Sequence, residues 1–404
     1  MKVVVDARLE PGAAGGVVQG VLGLVYGLSR LDRDGDDYRL LVRPGRVDWL
    51  RPHAGALEFL EAVRPETPLS RPSLRSRVAR RLRPREGEEL VPPSKGVAEA
   101  FGADVIHLPT QQGFTTEIPT LYHPWDLQHV HYPEFFEDGE RRDRDRLYRA
   151  LCRQARLVVT PTRWAAEDVI ANLQVPRRKV AVVAGASPLS VYGEPNAADL
   201  ERVRVARRLP DEFVLYPAQT WPHKNHLALV DALALLKRDG LRIDAVCAGW
   251  QNDFFPTIEA RAREAGVADQ LCFTGHLLGP ELTALYRLAR ALVFPSLFEG
   301  WGFPVLEAFS AGVPVVCSDV PSLREVAGGA AVTFEPTRPE DVAAKLRRVW
   351  EVEGLRRELA ERGRARSREF SWERTARIFR AHYRQVAGER LSEEDSARVA
   401  EARA

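Results

Sequence analysis

Residues 294–321, FPSLFEGWGFPVLEAFSAGVPVVCSDVP, read as a strand end, a turn, a helix and a second strand. The apolar run Ala291-Leu-Val-Phe294 stops at Pro295, and a glycine-rich turn, Glu299-Gly-Trp-Gly302, follows. An apolar helical segment then covers 303–311. Gly312 and Pro314 end it before the apolar run 313–317. Such a turn opens free backbone N–H groups and the positive end of a helix at the carboxyl end of a strand. An anionic ligand binds well there. Glu299 and Glu307 flank the turn. A carboxylate repels phosphate, so these two acids suit sugar hydroxyls as hydrogen-bond acceptors. Phosphate next to sugar hydroxyls points to a nucleotide sugar.

The same alternation extends outward over the whole chain. Short β-branched runs at 2–6, 38–42, 105–108, 120–123 and 157–160 predict the strands of one half. Runs at 213–217, 243–248, 271–274, 291–294 and 313–317 predict those of the other. Strands alternating with helical stretches predict an α/β chain with two doubly wound parallel sheets, whose ligands bind at the carboxyl ends of the strands. The small-residue stretch 183–188, VAGASP, marks the boundary. Ser371 reads as the N-cap of a long amphipathic helix, and the charged tail from Gly388 reads as a frayed one.

Composition narrows the function. The 404 residues carry 45 % hydrophobic and 28 % charged side chains, and a net charge of +2. These are ordinary globular values and give no reason to expect a nucleic-acid partner. Only six residues are lysine, which makes Lys224 conspicuous. Cys152, Cys247, Cys272 and Cys317 stand far apart without a metal-binding spacing and read as buried thiols. The start, MKVVVDAR, reads as a strand, and no apolar run approaches the ~18 residues of a membrane span. The expectation is a cytoplasmic protein. Residues 71–85, RPSLRSRVARRLRPR, hold seven Arg and no acid. They read either as a solvated loop or as a patch for an anionic acceptor or the inner membrane face.

The Glu-x7-Glu spacing, the EGWGFPVLEA core and the following GVPVVCSDVPSLREV resemble the donor site of retaining glycosyltransferases of family GT4. The resemblance implies the GT-B fold, with two Rossmann-like domains facing a cleft. An acceptor domain would cover 1–185 and a nucleotide-sugar domain 186–374, with the last helix, about 375–404, packing back on the first domain. It implies a hexosyl transfer from a nucleotide diphosphate sugar to a saccharide or lipid-linked acceptor, with no metal and no other cofactor. The stretch 216–225, YPAQTWPHKN, resembles the family's diphosphate loop. Lys224 would be the cation that follows the leaving diphosphate. Gln219 stands where many relatives place an Arg. The Pro-His-Lys-Asn form resembles a mannosyl-transferring branch, which points to GDP-mannose and then to UDP-hexoses.

On the same resemblance Glu307 would bind the ribose, Glu299 the transferred sugar, the backbone after Gly300 the diphosphate, and Gly300, Gly302, Phe303 and Pro304 would line the donor site. Gly15 and Gly16 would approach the donor from the other domain. His123 would face the cleft beside the sugar as a catalytic residue. Asp126 and Arg163 are further candidates. Three His and one Asp within 121–131 fit no standard zinc spacing. The acidic cluster Asp32, Asp34, Asp36 and Asp37 reads as a solvated turn. An epimerase or a phosphorylase would share this fold, and so would a non-catalytic subunit that binds sugar nucleotides. The sequence leaves the oligomeric state open.

Overall fold

A computed structural model describes residues 1–9, 15–32, 34–62, 91–277 and 279–404. The Arg-rich stretch 71–85 lies outside them. Seven strands form the first sheet: β1 (Lys2–Asp6), β2 (Asp37–Val42), β3 (Glu58–Glu61), β4 (Val105–Leu108), β5 (Thr120–Tyr122), β6 (Leu157–Thr160) and β7 (Val180–Val182). Six form the second: β8 (Phe213–Tyr216), β9 (Asp244–Ala248), β10 (Leu271–Gly275), β11 (Ala291–Phe294), β12 (Val315–Ser318) and β13 (Val332–Phe334). The spatial orders are β3-β2-β1-β4-β5-β6-β7 and β10-β9-β8-β11-β12-β13. Every pairing between these strands is parallel. This is the doubly wound architecture of the GT-B fold, present twice.

The central strands are apolar on both faces because helices cover both. Val3, Val4 and Val5 are fully buried, as are Leu292 and Val293. In each sheet the order reverses beside the first strand, between β1 and β4 and between β8 and β11. At such a switch point the flanking loops part and leave a crevice at the carboxyl ends.

The helix Trp372–Ala387 starts where the second half ends and packs on the helix Gly16–Ser29 of the first half. Its entry is tight: a Cβ at Gly23 would lie 1.9 Å from Trp372 Cε2. Ser371 caps it through the amide of Arg374. The tail beyond Gly388 is not frayed. Ser392 caps a further helix, Glu393–Glu401, and Val182 N donates to Ala402 O at the edge of the first sheet, 2.7 Å. The acidic cluster is likewise more than a solvated turn. Asp36 is buried and pairs with the N-terminal amine at 3.3 Å and with Arg384 at 3.0 Å. Cys152, Cys247 and Cys317 are free, buried thiols and Cys272 is half-buried. Among the described residues no helix is long and apolar enough to cross a membrane.

Candidate active site

A cavity of about 510 Å³ opens between the two sheets. Its walls are the loops that leave the carboxyl ends of the strands. From the first half come Gly15, Gly16 and Gln19 after β1, Gln111 after β4, Trp125 and Asp126 after β5, and Arg144 on the following helix, Asp138–Gln154. From the second half come Gln219, His223 and Lys224 after β8, His276 after β10, and 299–304 with Glu307 after β11.

The Lys224 loop is fixed by its own backbone. Tyr216 Oη donates to Lys224 O, and Leu297 N donates to His223 O at 2.8 Å. Asn225 takes a left-handed conformation and its amide donates to Pro295 O at 3.0 Å and to Pro336 O at 2.8 Å. These bonds stitch the loop to the segments that follow β11 and β13. The Lys224 ammonium reaches Glu299 Oε1 at 2.5 Å. Gln219 is neutral, and its side-chain oxygen accepts from Trp221 Nε1 at 2.6 Å. Its amide nitrogen closes on the other half: a Cβ at Gly15 would stand 3.5 Å from it.

The turn after β11 brings the halves together. A Cβ at Gly300 would lie 2.6 Å from Trp125 O, so any larger residue there pushes the walls apart. Gly302 has φ +96°, open to glycine, and precedes the helix Phe303–Ala311. Pro304 stands in the first turn of that helix, where its missing N–H removes no helical bond. Glu307 sits one turn further on and is almost fully buried. Tyr286 Oη donates to its Oε2. Burial pushes the Glu307 carboxyl up to about 7, and the Tyr286 bond pulls it back only in part. Near neutral pH the carboxyl therefore carries a proton part of the time. No group of three or more His, Cys, Asp or Glu among the described residues is placed to hold a metal ion.

Residues 198–366 match the family model described as glycosyl transferases group 1. The second half is a group 1 glycosyl transferase domain. The matched span includes all six strands of the second sheet. O-antigen chain mannosyltransferase B of Escherichia coli is 27 % identical over 259 residues, 63 % of this chain and 66 % of that one. The serotype-specific mannosyltransferase WbdA of Escherichia coli is 33 % identical over 223 residues, 53 % of this chain and 27 % of that one. Both matches thus span part of the relative. Among solved structures, Anabaena HepE in complex with UDP and glucose superposes with a TM-score of 0.71 at 17 % identity, covering 95 % of this chain and 100 % of that one. At this identity the likeness carries the fold.

The group 1 domain supplies most of the residues singled out in the sequence, and they meet in one place. Gln219, Lys224, Glu299, Gly300, Gly302, Phe303, Pro304 and Glu307 all line the cavity, facing Gly15, Gly16 and Asp126 of the first half. Two expectations need correction. His123 does not line the cavity. It is buried, 2.7 Å from His107 Nε2, and stacked on Phe379 of the C-terminal helix at 5.5 Å between ring centroids. That helix covers the His123 ring just past the end of β5, and Trp125 takes the place at the cavity wall. Arg163 does not line it either. It opens the helix Arg163–Leu173, and its backbone N–H donates to Glu325 Oε1 at 2.8 Å.

Sequence reading missed Arg144, Trp125 and Tyr286 as site residues. Arg144 lies in a run of charged helix residues where nothing distinguishes it from its neighbours. Tyr286 stands 21 positions from its partner Glu307, on a separate helix. Trp125 lay within a segment read for its His and Asp.

Proposed function

We propose that the protein is a retaining glycosyltransferase. In this reading it moves a mannosyl group from GDP-mannose, with UDP-hexoses as the next candidate donors, to a saccharide or lipid-linked acceptor. One observation carries the reading. A single cavity at the carboxyl ends of both sheets holds Lys224, Glu299, Glu307 and the open amides of the turn that precedes the helix Phe303–Ala311. The two mannosyltransferase relatives support the choice of sugar.

Each role follows from position. Lys224 and the amides after Glu299 hold the diphosphate, and their charge opposes the charge that grows on it as the sugar–phosphate bond breaks. The Lys224 ammonium pairs with Glu299. With donor bound, Lys224 turns toward phosphate while Glu299 accepts hydroxyls of the transferred sugar. Glu307 accepts the ribose hydroxyls. The acceptor enters from the first half, and closure of the two walls orients it toward the sugar. The positive charge comes from side chains and helix ends, so turnover needs no divalent cation. In this reading the protein draws on the cytoplasmic supply of nucleotide sugars.

The test is turnover of a panel of labelled nucleotide sugars, with and without a mannose-containing acceptor and with excess EDTA. The expected result is hydrolysis and transfer from GDP-mannose above the other donors, unchanged by EDTA. An altered sugar nucleotide formed without acceptor would replace the reading with an epimerase. Sugar phosphate formed from a glycoside and inorganic phosphate would replace it with a phosphorylase. Nucleotide binding without turnover of any donor would replace it with a binding subunit. Activity abolished by EDTA and restored by Mn²⁺ would overturn the metal-free part.

A further inference from the structure

Lys224 is not the only cation that reaches the cavity. Among the described residues that line it, two carry a fixed positive charge: Lys224 on the group 1 side and Arg144 on the opposite wall. Lys224 is held by Glu299 at 2.5 Å, and Gln219 adds no charge. A diphosphate with one engaged ammonium beside it is poorly balanced. The inference that follows rests on the nucleotide-sugar reading above.

Arg144 is well placed to complete the balance. It projects from the helix Asp138–Gln154, with its guanidinium over the Phe136 ring at 4.7 Å, which restricts its direction. Its contact with Glu140 Oε1 is long, 3.4 Å. Arg144 also shares a side-chain hydrogen bond with Tyr148, but a guanidinium carries five N–H donors in a planar fork, so donors remain for a phosphate. The same cavity is lined by Asp126, whose carboxyl accepts from Gln128 N at 3.2 Å. Burial raises this carboxyl, and Arg144 and Lys224 both act to lower it. Across the cavity, His223 is held well below the ordinary histidine range by burial first, then by the charges of Lys224 and Arg144. Both cations thus stand on the wall of one cavity of about 510 Å³, Arg144 from the first half and Lys224 from the second.

We propose that Arg144 binds a phosphate group in the cavity from the side opposite Lys224, as a cation supplied across the cleft in place of the one that Gln219 lacks. Its neighbourhood to the His223–Lys224 loop favours the donor's diphosphate as the source. A phosphate carried by the acceptor would present the same chemistry.

The experiment is calorimetric titration of the full-length protein with GDP and, separately, of the GDP-saturated protein with inorganic phosphate. The variants are Arg144→Gln, Arg144→Lys and, as a charge-matched control on the exposed side of the same helix, Arg142→Gln. Melting curves confirm that each variant is folded. The expected result is a loss of GDP affinity of roughly ten- to a hundredfold in Arg144→Gln, since a lost charge-assisted bond is worth that much. Arg144→Lys keeps part of the affinity, and the Arg142 control is unchanged. If GDP binding is unaffected but inorganic phosphate no longer binds the GDP-saturated variant, the phosphate belongs to the acceptor and the proposal holds in that form. Arg144→Gln matching the wild type with both probes overturns it. Wild-type protein that binds neither GDP nor UDP would instead overturn the functional reading on which the proposal rests.

Discussion

Glu307 couples the site to pH. Its carboxyl is pushed up to about 7 by burial, against an ordinary value of 4.5. Ribose hydroxyls donate to the ionised form, so bound nucleotide lowers that value and releases a proton. GDP affinity should therefore weaken as pH falls below about 7 and level off above it. The variant Glu307→Gln should bind GDP more weakly at pH 8 by about tenfold and lose the pH dependence, since the lost bond is worth ~1–3 kcal/mol. A wild-type affinity flat from pH 6 to 8 would remove the ribose role. The same shift bears on folding. The folded carboxyl keeps its proton to higher pH than the unfolded one, so this group's contribution to stability is full below about 4.5 and is lost as pH rises through about 7. Lys224→Ala should lower turnover by about 10²–10³, the usual cost of removing a group that stabilises developing negative charge. It should also lower the melting temperature, because it strands a mostly buried Glu299. The double variant Lys224→Ala, Glu299→Gln separates the two effects: stability returns and turnover does not. Equal turnover of Lys224→Ala and wild type at saturating donor would put the diphosphate elsewhere. At this scale the sequence was most legible where backbone geometry demands a residue type, as in the glycines and prolines around 300–304. Arg144 was hidden because helix periodicity does not say which charge faces a cleft, and His123 was misjudged because the helix that covers it begins 249 positions later at Trp372.

The elements were legible in proportion to their burial. All ten strands read from the sequence exist within a residue or two of the expected bounds. The three that went unread, β3, β7 and β13, are three of the four edge strands; the fourth, β10, was read. Edge strands are short and only partly covered, so their apolar signal is weak. Glu58–Glu61, with an acid at each end, is the clearest case. The C-terminal helix was legible through its Ser371 cap and its apolar stripe, while its partner was not, because the contact depends on glycines rather than on an apolar pattern. Trp372 fills the space that Gly23 leaves and donates its indole N–H to Ser187 O at 3.1 Å. Trp372→Ala should therefore cost about 3–5 kcal/mol through the cavity and the lost bond, read as a fall in the denaturation midpoint with the secondary structure intact. Gly23→Ala should destabilise as well, because its added methyl meets the indole directly. Wild-type stability in both variants would mean that this helix does not hold the halves together.

The whole molecule is held shut by contacts of two kinds. Beside the chain crossings lie half-buried ones, such as Tyr192 Oη donating to Gln19 Oε1 at 2.9 Å. At the lip of the cavity lie polar ones. Thr162 Oγ1 donates to Gly300 O at 3.3 Å, Tyr132 Oη donates to Leu297 O at 3.1 Å, and Glu325 accepts from the amides of Arg163 and Trp164 at 2.8 and 3.2 Å. The last is a carboxylate of the group 1 domain seated on the N-terminus of a helix in the other half, where unpaired amides and the helix dipole favour negative charge. It closes the molecule without touching the cavity. A donor held by both walls binds the closed form better, so anything that lowers the closed population lowers apparent affinity by the same factor. Glu325→Gln removes the charge and one of the two acceptors, worth about 1 kcal/mol at such a position, or roughly fivefold in the balance between open and closed forms. Small-angle scattering of the ligand-free variant should then give a larger radius of gyration than the wild type, and saturating GDP should bring the two together. KM for the donor should rise a few-fold while kcat at saturating donor changes little, because the residues around the diphosphate are intact. High salt should reproduce part of this in the wild type, since the contact lies at the surface and is screened. A variant with the wild-type radius and the wild-type KM would show that Glu325 merely fills a surface position and that closure is set by the contacts near Tyr192.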